Sequence, residues 1–416
     1  MERGILIMSF RSPVFLLAFG AGFLLASFHG DAPAEEGFRS ATACTRCHPE
    51  IHRTWRSSRH ATAYTAPLFQ VSLDGARREN PQLSLPCEHC HNPLRFFLDT
   101  DDPKASIFAL EGVTCDFCHS VEFLLQGIQG AGFPRYLVNP GIKFGPYPTS
   151  GKSDNGAHRK KFSMLHTQSV FCAGCHEYRN AHGIPILSTY SEWEESFYHG
   201  KNVHCQFCHF PGLFDAPFID PGIKKGPIGH DMAGGHSREL LAKALPIRAT
   251  LTSNETEACV TIQVKNEFAG HKAPSGIPIN RLRLETTLYD GDRGVLGRGE
   301  DIFERVLGDG NGMPLRMPER FFPAAKEVLK DNRIEPKEVR KIVYRFPLQG
   351  KAPRTAEIAL LYEIFLPDLA PALKSSTIPI LRIAVPVTAE FPWPFVAFGV
   401  LAAAILVLAA VLVIRR

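Results

Sequence analysis

Five times along the chain two cysteines stand three apart with a histidine directly behind the second: Cys44, Cys47, His48; Cys87, Cys90, His91; Cys115, Cys118, His119; Cys172, Cys175, His176; and Cys205, Cys208, His209. Two thiols at that spacing can form thioethers to both vinyl groups of one porphyrin, and the next residue's imidazole then lies under the ring, ready to ligate iron. With 11 cysteines and 17 histidines in 416 residues, chance supplies about 0.01 such motifs. Each motif therefore points to a covalently attached haem c, five in all, with its own histidine as proximal ligand. Paired C-x-x-C units also build zinc ribbons, but these take two pairs per metal, and an odd number leaves one over. Redox-active dithiols explain a single pair and give no reason for a histidine after each.

The open question at each haem is the sixth iron position. Outside the motifs and the leading segment lie His52, His60, His89, His158, His166, His182, His199, His204, His230, His236 and His271. Histidine is present at about twice its usual share, a surplus whose natural use is bis-histidine ligation.

The elements that must position these groups divide the chain. Residues 35–244 offer too little polypeptide per motif for an ordinary core of side chains, so the porphyrins must be the core of a mainly α or irregular multihaem domain. Its helical pieces are broken by glycine and proline, and Gly141 to Gly151 reads as loop. Residues 245–388 change texture. Period-two alternation at Cys259 to Lys265, Arg281 to Tyr289, Lys341 to Phe346, Thr355 to Phe365 and Pro379 to Val387 indicates an all-β, immunoglobulin-like sandwich. Pro318 to Lys330 reads as a helical or irregular insertion, and Cys259 as a buried strand residue.

Both ends carry targeting signals. Residues 1–34 read as an export signal peptide: Arg3 and Arg11, an apolar run from Val14 to Phe28, and an A-x-A site ending at Ala34. Residues 391–416 read as one C-terminal transmembrane helix, apolar from Phe395 to Ile414 and closed by Arg415 and Arg416. Together they predict a single-pass protein of the cytoplasmic membrane, its haem and sandwich domains on the periplasmic side. The formal charge of +4 is brought to about neutral by five ferric haems at about −1 each. No basic patch argues for nucleic acid.

Several segments resemble the nitrogen-cycle type of multihaem cytochrome c, a family that includes the tetrahaem electron acceptor of hydroxylamine oxidoreductase. They are Trp55, Ser58 and His60 behind the first motif; Glu111 to Thr114 before the third; His158 and His166 before Phe171 and Cys172; Thr189 to Trp193 before the fifth; and Asn266 to Gly276 around His271. The resemblance implies that His60 is a distal ligand, that His158 or His166 is another, and that His230 and His236 lie in a ligand-bearing segment. At the second W-x-x-S-x-H the pattern departs: Trp193 and Ser196 are followed by Tyr198, with His199 one place late. His271 falls on a loop between two strands, from which it would reach across to an iron.

Two functional readings follow. In the first, packed haems pass electrons between redox partner proteins in a respiratory chain. In the second, a multihaem oxidoreductase acts on a small nitrogen or sulfur compound at a haem with an open sixth site. All five motifs end in histidine, unlike the C-x-x-C-K of pentahaem nitrite reductase, which leaves the carrier the favoured reading and names no catalytic residue.

Overall fold

Each motif lies on or against a helix too short to persist alone. These helices are Ala41–Cys44, Ser84–His91, Cys115–Ser120, Val170–His176 and Cys205–His209. The computed structural model describes residues 37–98, 102, 104–125, 135–148, 157–211, 229–364 and 377–388. Among the described residues the longest helix is Pro67–Glu79. What holds the short helices is local: Thr114 Oγ1 accepts from the Phe117 amide at 3.1 Å and starts the third motif helix. Side-chain cores here are small. One gathers Phe38, Leu94, Phe108, Val113, Phe117, Val121 and Tyr136, and another only Ala41, Trp55 and Ala61.

The main core is in the β region. A five-stranded antiparallel sheet runs in the order Glu327–Asp331, Val295–Gly308, Asn280–Asp290, Pro353–Ile364, Thr377–Pro386. A three-stranded antiparallel sheet, Val339–Pro347, Glu257–Lys265, Ile247–Ser253, faces it. Leu282, Leu284 and Leu288 of one sheet and Val260, Ile262 and Val264 of the other are fully buried at every second position, as a two-sheet sandwich requires. The helix Arg238–Ala244, assigned by sequence to the haem side, sends Ala244 into this core.

The two regions share a buried polar seam. Arg333 Nη1 pairs with Glu192 Oε1 at 2.7 Å, and the same carboxylate accepts from Ser188 Oγ at 2.7 Å, Ser275 Oγ at 2.8 Å and the Lys272 amide at 3.2 Å. Arg305 donates to Ser188 Oγ and the Ile186 carbonyl, both at 2.7 Å. Asn180 Nδ2 donates to the Ala325 carbonyl, also at 2.7 Å. Glu192, Arg305 and Arg333 are only 6%, 3% and 5% exposed, so the three charges have no water to fall back on. Burial, helped by the neighbouring Arg333, pulls the Arg305 guanidinium down to about 10.

Four expectations are corrected. Among the described residues no helix is long and apolar enough to cross a membrane; at 1.5 Å per residue even Pro67–Glu79 falls short of a ~30 Å hydrocarbon layer. The transmembrane helix placed at 391–416, and the single-pass membrane localisation built on it, are withdrawn on that finding; that segment and the signal at 1–34 lie outside the described residues. Cys259 sits half-buried on the outward side of its strand, while Ala258 and Val260 face the core, because the register is one residue from that expected. Within Gly141 to Gly151, Ile142–Gly145 is a short strand paired in parallel with Arg159–Phe162. Pro318 to Lys330 resolves into a helix, Pro318–Ala324, and a strand, Glu327–Asp331.

Replacing Glu192 with alanine leaves Arg333 with Asp331 as its one carboxylate and removes the buried acceptor of Ser188 Oγ, Ser275 Oγ and the Lys272 amide, and is expected to cost about 1–3 kcal/mol, with Glu192→Gln costing less. Chemical denaturation followed by far-ultraviolet circular dichroism measures both; equal stability of parent and alanine variant would contradict the seam's role.

Candidate haem-binding sites

The Trp55, Ser58, His60 segment is built to fix one imidazole. Trp55 Nε1 donates to the Val113 carbonyl at 2.9 Å, the Val113 amide returns a bond to the His60 carbonyl at 3.0 Å, and Ser58 Oγ accepts from the Ala61 amide at 3.2 Å. Gly112 completes the clasp. Its φ is +61°, and a Cβ there would stand 2.5 Å from the His60 carbonyl, so no other residue fits. Glu111 to Thr114 and the first W-x-x-S-x-H are thus two halves of one structure.

Three of the five motif histidines show the pattern of metal ligands that commit one ring nitrogen to a backbone carbonyl. Nδ1 of His91 lies 2.7 Å from the Ala63 carbonyl, Nδ1 of His119 2.7 Å from that of Phe144, and Nδ1 of His209 2.6 Å from that of Ala233. Each Nε2 is left for iron. His271 follows suit, with Nδ1 2.9 Å from the Lys272 carbonyl. Nδ1 of His60 meets Met232 Sδ at 2.6 Å, a contact with a residue that the sequence reading did not single out; Met232 takes a left-handed φ of 44° to make it.

Ring separations test whether haem fits. An imidazole nitrogen lies about 2 Å from a ligated metal with its ring centre about 1 Å further back, so two imidazoles on opposite faces of one iron have centroids a little over 6 Å apart. His48 and His158 stand 6.5 Å apart, His60 and His176 6.2 Å, and His119 and His230 6.4 Å. His166 also faces His119, stacked at 5.7 Å, but its Nε2 lies 3.0 Å from the Cys118 carbonyl. His236 and His271 lie close enough to His209 to act on it electrostatically, and His271 also acts on His176. Among the described residues, neither His91 nor His209 has an imidazole at the paired separation; the ring stacked on His91 is that of Phe69, at 3.9 Å. Tyr198 is buried with its hydroxyl donating to the Glu267 carbonyl.

Burial pushes the Cys118 thiol up to about 12 and that of Cys87 up to about 11, whereas the neighbouring Cys172 brings Cys205 down to about 7. Among the described residues, no three His, Cys, Asp or Glu side chains converge as a metal cluster would need. Cys44 lies beside Cys115, Cys90 beside Cys175 and Cys172 beside Cys205. The first motif therefore abuts the third, and the fourth abuts the second and fifth. The ten motif cysteines supply the attachment points, and haem bound there supplies reversible one-electron iron chemistry.

The comparisons agree with this chemistry. Residues 43–120 match the family model described as cytochrome c554 and c-prime. A penta-heme cytochrome c552 from Thermochromatium tepidum superposes with a TM-score of 0.69 at 23% identity, over 84% of this chain and 98% of that one, a likeness of fold. A β-glucuronidase of glycoside hydrolase family 2 and a family 2 glycosyl hydrolase from Bacteroides cellulosilyticus align over 34% of this chain, and 11% and 14% of theirs, at 11% and 15% identity. Their TM-scores of 0.17 carry no weight. No curated protein matches. The five motifs, the site geometry and the match over residues 43–120 make this chain similar to multihaem c-type cytochromes.

Burial holds the imidazoles neutral, the form that ligates metal. With further lowering by nearby imidazoles, His60 and His119 fall to about 3 and His176 to about 4. The unfolded chain takes up these protons first, below about pH 6.5, so stability present above that pH is lost progressively as pH falls toward the folded values. Protons compete with iron for these imidazoles, so the melting temperature of the haem-loaded protein is expected to fall as pH drops below about 6.5; a flat profile would contradict it.

Proposed function

We propose that this chain is a pentahaem electron carrier, passing single electrons between a donor and an acceptor protein of a respiratory chain. The observation that carries the reading is the set of three imidazole pairs, His48 with His158, His60 with His176 and His119 with His230, at 6.2–6.5 Å. Iron held on both faces by histidine has no coordination site to offer a substrate and cycles between ferric and ferrous states with little rearrangement. These pairings support distal roles for His60, His158 and His230, and favour His158 over His166. His271 and His236 both act electrostatically on His209, which makes them the candidates for its second ligand. The sulfur contacts order the motifs as first, third, fourth and fifth, with the second beside the fourth; the third and fourth share an apolar cluster through Cys118 and Cys175.

One observation favours the alternative, an oxidoreductase acting on a small nitrogen or sulfur compound. Among the described residues no imidazole faces His91 at the paired separation, which would leave a haem at the second motif with an open site.

Intact mass is expected to exceed the processed polypeptide by five haem masses, and electron paramagnetic resonance of the oxidised protein to be dominated by low-spin ferric signals. A dominant high-spin signal with rapid nitrite or hydroxylamine turnover would overturn the carrier reading.

His60→Ala is expected to add one high-spin haem, whereas His60→Met keeps it low-spin and raises one midpoint potential. Unchanged spectra and potentials in both variants would remove His60 from the ligand set.

A further inference from the structure

Of the ten motif cysteines only Cys47 and Cys208, in the first and last motifs, are exposed. Around Cys208 lies a patch of exposed aromatic rings and lysines. Phe207 within the motif is 58% exposed, Phe197 55% and Phe268 48%. Lys337 Nζ stands 5.7 Å from the ring centre of Phe197, 4.9 Å from that of Tyr198 and 5.4 Å from that of Phe268. Lys201 lies 5.6 Å over Phe197, and Lys243 5.9 Å over Phe268. Lys243 also acts electrostatically on the Cys208 thiol, which places it beside the attachment point.

The charge here is unbalanced. Glu267 is shared between Lys265 and Lys337, and among the described residues Lys201 and Lys243 have no carboxylate partner. A surface meant only for water would not hold three large aromatic rings outward beneath ammonium groups. Nor are these lysines placed for the haem's own carboxylates, because the propionates leave the porphyrin from the side opposite its thioether-forming vinyl groups.

Resting on the electron-carrier reading, we infer that the Phe197, Phe207, Phe268 patch with Lys201, Lys243 and Lys337 is the docking face for a one-electron redox protein with an acidic surface. The lysines steer the partner, and the aromatic rings exclude water where the two centres come closest. The transfer moves one electron from ferrous iron to the partner's oxidised centre, leaving ferric iron, with no bond made or broken. The site's position over a haem-attachment motif favours a redox protein over a lipid surface, which has no use for the electron.

The test is stopped-flow oxidation of the reduced, haem-loaded protein by copper(II) plastocyanin, an acidic one-electron protein, across a range of salt. Parent protein is expected to react fastest at low ionic strength. Lys201→Glu with Lys243→Glu is expected to slow it at least about tenfold and to flatten the salt dependence. Lys326→Glu with Lys351→Glu, on exposed sandwich positions, serves as the control. The inference is overturned if the patch variant reacts at the parent rate or if the control slows equally. It is also overturned if the patch variant keeps its plastocyanin rate but ceases to sediment with phosphatidylglycerol vesicles. Benzoquinone, small and neutral, should oxidise all forms alike; failure of every form to give up electrons to either oxidant would instead sink the electron-carrier reading.

Discussion

A buried, neutral imidazole with one nitrogen tied to the backbone is the interaction on which the rest of this structure depends. Burial without that tie would leave a polar ring unsatisfied, and the tie without burial would let the ring take a proton and lose its affinity for iron. Ala63, Phe144 and Ala233 provide carbonyls from segments remote in sequence from the histidines they hold. The chain must therefore fold back on itself at these three motifs. This accounts for the many short helices and turns between residues 37 and 244: their task is to present carbonyls and second imidazoles at set separations, and long regular elements would carry the chain past the site.

A region assembled in this way has little side-chain core of its own, and the sandwich supplies some of the missing rigidity. Its contribution is not a loose tether. Arg305 and Arg333 reach out of the β region into the segment between the fourth and fifth motifs, where Glu192 gathers bonds from both sides. The cost of burying three charges is offset only because each is met by several partners in good geometry. The same segment continues through Trp193 to Tyr198, whose hydroxyl bonds a sandwich carbonyl, and then to His204 and the last motif. The fifth motif is thus positioned from the β side as well as from its own.

The sequence carried the attachment chemistry plainly, because C-x-x-C-H spacing is a covalent requirement that context cannot alter. Strands such as Asn280–Asp290 and Glu257–Lys265 were equally open to reading, since one face of each is wholly buried and the alternation is clean. Val295–Gly308 was missed although it is the longest strand, and Gly297 and Gly299 are the reason. They read as strand breakers, yet a Cβ at either would strike the ring of Phe346 or Tyr344 packed across it. Cys259 was placed a residue out of register because a cysteine looks apolar in isolation, and only the neighbouring Ala258 and Val260 show which face is inward. Distal histidines were narrowed but not paired by sequence, because the partner of a motif imidazole is decided by folding: His48 meets a ring more than a hundred residues away. Met232 had no sequence signal at all.

The seam also sets a timetable. Asn180, Ser188 and Glu192 find their partners 145, 117 and 141 residues further along the chain. During synthesis the stretch from the fourth motif to the fifth emerges long before Arg305 and Arg333 exist to hold it. Contacts so distant in sequence are slow to form even once the chain is complete. Until the seam closes, the stretch between the fourth and fifth motifs lacks the bonds that Arg305, Arg333 and Ala325 bring to it, and the cysteines at its two ends are held only by local contacts.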